Sequence, residues 1–289
     1  KAINRAVART LTEMFELGMF EDTYRDVEEA KKATATQADW DNAMGGHLRS
    51  VTLLKNDGVL PLTPEKTYLK NVYAESFHKN PQLAEQLTAQ LRSQLTEINV
   101  VDNPRDADYA ILMLYPSSGE YFNATKGYLE LDICDGKIVH DVDDKCRPVE
   151  ATHEETTLSN LGRIKYIADT VHANAGKVIM NVNFTLAWML GNVEPYADAL
   201  TAGYDTYSLA VLEVMRGRFW PLGKLPFTLP RGDEVLAVNA DGVCISPNDV
   251  PGYDKDQYMP AEMKDENGKA YAYRDAHGNY YELNFGLKY

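Results

Sequence analysis

Asp108-Tyr109-Ala110-Ile111-Leu112-Met113-Leu114-Tyr115 is the stretch whose reading decides the fold. It is a continuous apolar run without alternation, the pattern of a strand covered on both faces. Helical spacing lies on either side of it. Residues 81–95 place Leu83, Leu87, Leu91 and Leu95 in step, and 159–175 form a second helical segment. Further strands are predicted over 67–73, weakly over 99–101, then over 177–182 and 200–203, and another helix over 208–216. Strands alternating with helices across 66–230 predict an α/β domain, with a parallel or mostly parallel sheet and helices on both faces.

Outward from that core the pattern changes. Residues 1–20 carry a helical stripe of Ile3, Val7, Leu11, Met14 or Phe15, and Leu17, closed by Gly18 in the manner of a left-handed cap. Residues 21–36 are polar and read as a linker or strap. A second helix is expected from Asp39 to about Lys55, with Trp40, Met44, Leu48, Val51 and Leu54 on its apolar face. Asn56-Asp57-Gly58 then makes a turn. Residues 231–289 have no helical stripe and hold seven of the 18 tyrosines between 253 and 289. They read as an irregular tail whose tyrosines pin it to the domain. The organisation expected is therefore 1–65 helical linker, 66–230 sheet domain and 231–289 tail.

The 289 residues carry a net charge of −14. Such a surface repels phosphate backbones and anionic membranes, so neither nucleic acid nor membrane is an expected partner. Cys134, Cys146 and Cys244 are too few and too irregular for a disulfide framework or a zinc cluster. No apolar run approaches the roughly 20 residues that span a bilayer. There is no signal peptide, and the sequence opens inside a helical pattern, which reads as a missing true N-terminus. The cytoplasm is favoured over secretion as the compartment.

A sheet of this type places its binding loops beyond the carboxyl ends of its strands. The loop after the decisive strand is Pro116-Ser117-Ser118-Gly119-Glu120-Tyr121-Phe122-Asn123. Its hydroxyls, carboxyl, amide and aromatic faces suit a sugar, which needs hydrogen bonds at its rim and stacking on its C–H face. Ser117, Ser118, Tyr121 and Asn123 are the substrate-binding candidates. Residues 134–157 form a second loop, with Asp141, Asp143, Asp144, His153, Glu154 and Glu155, and read first as a solvated acidic face. His140 with Asp141, Asp143 and Asp144 lacks the spacing of a calcium loop, so no metal is expected there. Phosphate-loop, dinucleotide and Gly-x-Ser-x-Gly signals are absent, and no cofactor is expected.

Four segments in order resemble the C-terminal portion of family 3 glycoside hydrolases, the β-glucosidase and β-xylosidase family. They are Arg9-Thr10-Leu11-Thr12-Glu13-Met14-Phe15-Glu16-Leu17-Gly18-Met19-Phe20-Glu21, Ser50-Val51-Thr52-Leu53-Leu54-Lys55-Asn56-Asp57-Gly58-Val59-Leu60-Pro61-Leu62, Pro221-Leu222-Gly223-Lys224-Leu225-Pro226-Phe227-Thr228-Leu229-Pro230, and Asn284-Phe285-Gly286-Leu287-Lys288-Tyr289. The resemblance implies an α/β sandwich with a mostly parallel six-stranded sheet. It implies a (β/α)8 barrel before Lys1 that carries the nucleophile, on the same or a separate chain. It further implies retaining hydrolysis of terminal β-linked sugars in an oligosaccharide or glycoside, for which this chain supplies only the proton-donating carboxyl. The family's loop glutamate falls on Ala124 here, so the donor is Glu120 first, Glu155 or Glu154 second, or a residue outside this chain. The segment Gly203-Tyr204-Asp205-Thr206-Tyr207 also departs from the family's glycine-rich run. A non-catalytic carbohydrate-binding or scaffold domain is the alternative, and an unrelated flavodoxin-like domain a third. A homo-oligomer formed through the tail is compatible with all three.

Overall fold

The computed structural model describes residues 1–21, 23, 24, 26–118, 130–143, 148–236 and 255–289. They fall into two compact units, Lys1–Gly45 and Gly46–Tyr289. The first holds α1 (Ala2–Glu16), α2 (Val27–Ala33) and most of α3 (Gln37–Ser50). Helix α1 follows from its three-and-four spacing and ends as the sequence predicts: Gly18 takes φ +67°, which a residue with a Cβ resists. None of its residues is buried, and Ile3, Val7, Leu11 and Phe15 lie exposed in a row. Helix α2 is capped by Asp26, whose carboxylate accepts the Glu29 amide at 2.9 Å.

The second unit is built on a six-stranded sheet. Its elements, in chain order, are β1 (Thr52–Asn56), α4 (Pro64–Thr67), β2 (Asn71–Phe77), α5 (Pro81–Ser93), β3 (Asn99–Val101), β4 (Tyr109–Leu114), β5 (Lys137–Val142), β6 (Pro148–Glu155), α6 (Leu161–Ala173), β7 (Lys177–Asn183), β8 (Ala199–Gly203) and α7 (Ser208–Met215). The strand order is β1-β8-β7-β4-β2-β3, while β5 and β6 form a separate two-stranded sheet. Within the six-stranded sheet β1 runs antiparallel to β8 and the other described pairs are parallel, with Ala74 beside Ile111 and Ile111 beside Ile179. This is the mostly parallel six-stranded sheet that the resemblance implies.

Both faces of that sheet are covered, which is why β4 reads as an unbroken apolar run. Leu112, Leu114, Met180 and Val182 pack beneath α6 through Ile164, Ile167 and Val171. Ile111, Met113 and Ile179 face the other way, onto Leu91 of α5 and Val211 and Leu212 of α7. Helix α5 starts sharply because Pro81 follows Asn80, whose side chain accepts the amides of Gln82 and Leu83.

Two local expectations change. The helix expected to reach Lys55 stops at Ser50, and Val51–Leu54 enter β1 fully buried. Their apolar positions continue the helical spacing of α3, but an unbroken buried run suits a strand paired to β8. The strand expected over 67–73 lies at Asn71–Phe77, because Pro64 starts a short turn of helix instead.

Residues 270–289 pack against the sheet unit. Tyr281 is fully buried; the Leu229 amide donates to the Tyr281 carbonyl, the Tyr273 amide to that of Leu229 and the Tyr281 amide to that of Tyr273. Leu287 donates its amide to Leu53, so the tail closes the free edge of β1. That closure needs two glycines. A Cβ on Gly223 would lie 2.2 Å from the Ser50 carbonyl oxygen, and one on Gly286 would lie 2.7 Å from that of Gly223.

Candidate active-site edge

The carboxyl ends of β2, β4, β7 and β8 meet at one edge of the sheet, where α/β folds hold ligands. A cleft of about 310 Å³ opens there, lined by His78, Tyr115, Ser117, Asn183, Thr185 and Asp205 among others. Strand β7 delivers Asn183 and the turn after β8 delivers Asp205. The two side chains are fixed by a reciprocal pair of bonds. The Asn183 amide donates to the Asp205 carboxylate at 2.9 Å, and the Asp205 backbone N–H donates to the Asn183 oxygen at 2.8 Å. Asp205 holds φ +50° to do so, a left-handed conformation that a residue other than glycine rarely takes. Burial pushes the Tyr115 phenol up to about 12.

Ser117 and Ser118, predicted to bind substrate, sit half-buried at this edge, and the Ser117 amide donates to the Thr157 carbonyl at 2.9 Å. Glu120, Tyr121 and Asn123 lie outside the described residues. The Thr157 contact ties the loop after β4 to the end of β6. Residues 134–157, read as a loop, are instead largely a hairpin. Val139 pairs with His153, Ile138 with Glu154 and Lys137 with Glu155.

Strand alternation separates the two remaining candidates. Glu154 lies with Ile138, His140 and Thr152 on the exposed face. Glu155 turns to the inner face, and its Oε1 lies 2.7 Å from His153 Nε2. His153 Nδ1 in turn lies 2.5 Å from Asp141 Oδ1. The sequence contains these three residues but nothing in it shows that one imidazole is held between two carboxyl groups.

A second charged cluster supports the hairpin from below. Lys137 Nζ lies 2.6 Å from Asp233, 3.2 Å from Glu130 and 3.4 Å from Asp132. Burial works against the Lys137 charge, but these carboxylates outweigh it and hold the ammonium above its ordinary value. Burial raises the Asp132 carboxyl, with Lys137 pulling the other way. Glu130 is almost wholly enclosed, so this lysine is its counter-charge. His140, considered for a metal, spends its Nδ1 on the Val149 carbonyl at 2.8 Å. Among the described residues no group of such side chains is arranged to hold a metal ion.

Comparison with known proteins adds a decisive observation. The family profile described as Glycosyl hydrolase family 3 C-terminal domain matches residues 51–289. The chain belongs to glycosyl hydrolase family 3. Among its relatives are a provisionally named beta-xylosidase of Formosa agariphila, 22% identical over 80% of this chain and 31% of its own length. Beta-glucosidase C of Emericella nidulans is 25% identical over 83% of this chain and 33% of its own. The beta-glucosidase of Listeria innocua, solved with glucose, superposes on 98% of this chain and 38% of its own, with a TM-score of 0.56 and 16% identity, a likeness of fold. The chain thus spans about a third of the length of its family 3 relatives. Among the described residues no helix is long and apolar enough to cross a membrane.

Proposed function

We propose that this chain is the C-terminal part of a retaining, exo-acting β-glycosidase that releases terminal β-linked sugars together with a (β/α)8 barrel carrying the nucleophile, and that Glu155 is the proton donor. The single observation that carries the assignment of Glu155 is its place. It is half-buried on the inner face of β6, hydrogen-bonded to His153, and two residues from the Thr157 contact that joins the hairpin to the loop after β4. Glu154, on the exposed face, has no such setting. The exposed apolar row of α1 supports a neighbouring domain, since Ile3, Val7, Leu11 and Phe15 together need cover.

The chemistry follows from retention. A barrel carboxylate forms a bond to the anomeric carbon while the glycosidic C–O bond breaks. The leaving oxygen keeps that electron pair and takes the proton from Glu155. Water then attacks the anomeric carbon of the glycosyl intermediate, the bond to the barrel carboxylate breaks with its electron pair going to that carboxylate, and the water's proton passes to the Glu155 carboxylate. Ser117 and Ser118 stand at the same edge to hydrogen-bond sugar hydroxyls.

The test is hydrolysis of nitrophenyl β-glycosides. The 289-residue chain alone is expected to be inactive, and the protein that includes the barrel active. In that protein E155Q should lower the rate on glycosides with poor leaving groups by about 10²–10⁴-fold, with azide restoring turnover on activated ones. Loss on E120Q with normal activity of E155Q would move the donor to Glu120. Normal rates in both variants would leave a binding or scaffold domain.

A further inference from the structure

The Asp141–His153–Glu155 row does more than place a carboxyl group. Its geometry comes from the hairpin. His153 and Glu155 are two apart on β6 and so share a face, and Asp141 reaches His153 from β5, at the irregularity between His140 and Val142. The three side chains are 20%, 18% and 24% exposed in that order, so the row is partly shielded along its whole length. The distances of 2.5 and 2.7 Å put both ring nitrogens in hydrogen bonds to carboxyl oxygens.

Such a row has two proton arrangements of equal net charge. The imidazole carries both protons between two carboxylates, or it keeps only the Nδ1 proton, donated to Asp141, and the other proton sits on Glu155. No charge enters or leaves the site when they interchange; one proton moves along the 2.7 Å bond. A retaining glycosidase needs this of its donor, which must be an acid in the first step and a carboxylate in the second. A lone carboxyl group, which titrates near 4.3, holds no proton at neutral pH.

We propose that His153, oriented by Asp141, is a positioning residue that stores the donor's proton and presents it on Glu155. This rests on the reading that Glu155 is the donor. Lys137, opposite Glu155 on β5, is engaged by Glu130, Asp132 and Asp233, and Glu154 lies on the other face of β6. His140 is also on that outer face, bonded to Val149.

The experiment compares wild type, E155Q, H153Q and D141N in the protein that includes the barrel. It measures kcat/KM against pH on a dinitrophenyl β-glycoside and on an alkyl β-glycoside, with melting temperatures alongside. H153Q keeps an N–H toward Glu155 but cannot relay a proton. The expected result is an alkaline limb displaced toward acid by about one pH unit or more, with the alkyl glycoside about 10–100-fold slower and the dinitrophenyl glycoside little changed. D141N should move the limb the same way by less. If E155Q is crippled but H153Q and D141N keep the wild-type limb, the inference is overturned while Glu155 stands. Equal losses on both substrates would also overturn it, as the mark of a merely structural histidine. If E155Q matches wild type on the alkyl glycoside, the donor assignment itself fails, whatever His153 does.

Discussion

Replacing Lys55 by Met should cost the second unit about 3–5 kcal/mol. Lys55 on β1 and Glu194, in the turn of helix Glu194–Tyr196, are 7% and 4% exposed, and Lys55 Nζ lies 2.8 Å from Glu194 Oε1. Oε1 makes no aligned hydrogen bond, so the contact is one of charge against charge. Oε2 accepts the Tyr273 hydroxyl at 2.8 Å, and Lys55 also reaches the Glu194 carbonyl at 3.4 Å. Removing the ammonium strands a carboxylate with almost no water, and that penalty, more than lost attraction, sets the magnitude. Urea unfolding would be followed by far-UV circular dichroism and by tryptophan emission, Trp188 being fully buried. At a slope of about 3–4 kcal/mol per M for a unit of this size, the midpoint should fall by about 1 M. The triple variant K55M/E194M/Y273F removes every member of the group and should regain most of the loss. A K55M cost below about 1 kcal/mol, or equal costs for single and triple variants, would refute a desolvated pair.

Two further outcomes follow from the fold. Gly223→Ala should destabilise by about 3 kcal/mol or more or abolish the soluble fold, since its Cβ would sit 2.2 Å from the Ser50 oxygen; Gly191→Ala, with open space around it, should change the urea midpoint little. Burial raises the phenols of Tyr115 and Tyr204 to about 12, so their stabilising effect is whole below pH 10 and lost as pH climbs toward 12, on the order of 2 kcal/mol each. Tyr115→Phe should therefore lose less stability than wild type between pH 9 and 11.5 in urea titrations, and parallel losses would contradict the assignment.

The sheet was legible because its central strands are apolar on both faces. Ala110–Leu114 and the helices that cover them announce an α/β domain without further help. Strand β1 was not legible, because Val51 and Leu54 continue the spacing set by Trp40, Met44 and Leu48. What separates helix from strand there is pairing with β8, a partner about 150 residues away. The β5–β6 hairpin was hidden for a different reason. Its inner face carries Lys137, Asp141, His153 and Glu155 beside the buried Val139, so apolar alternation is faint. Of the candidate site, the edge beyond β4 could be inferred from topology, and Ser117 and Ser118 with it. The bracketing of His153 by two carboxyl groups could not, because it depends on hairpin register.

The closing of β1 by Leu287 has a consequence for how the protein is made. During synthesis the strand at Thr52–Asn56 emerges about 230 residues before Leu287, which shields its open side. Until then a nascent chain displays unpaired amides and carbonyls beside fully apolar side chains, an invitation to sticky encounters between neighbouring polysomes. Quality control of this molecule is thus decided only when the segment around Leu287 comes home.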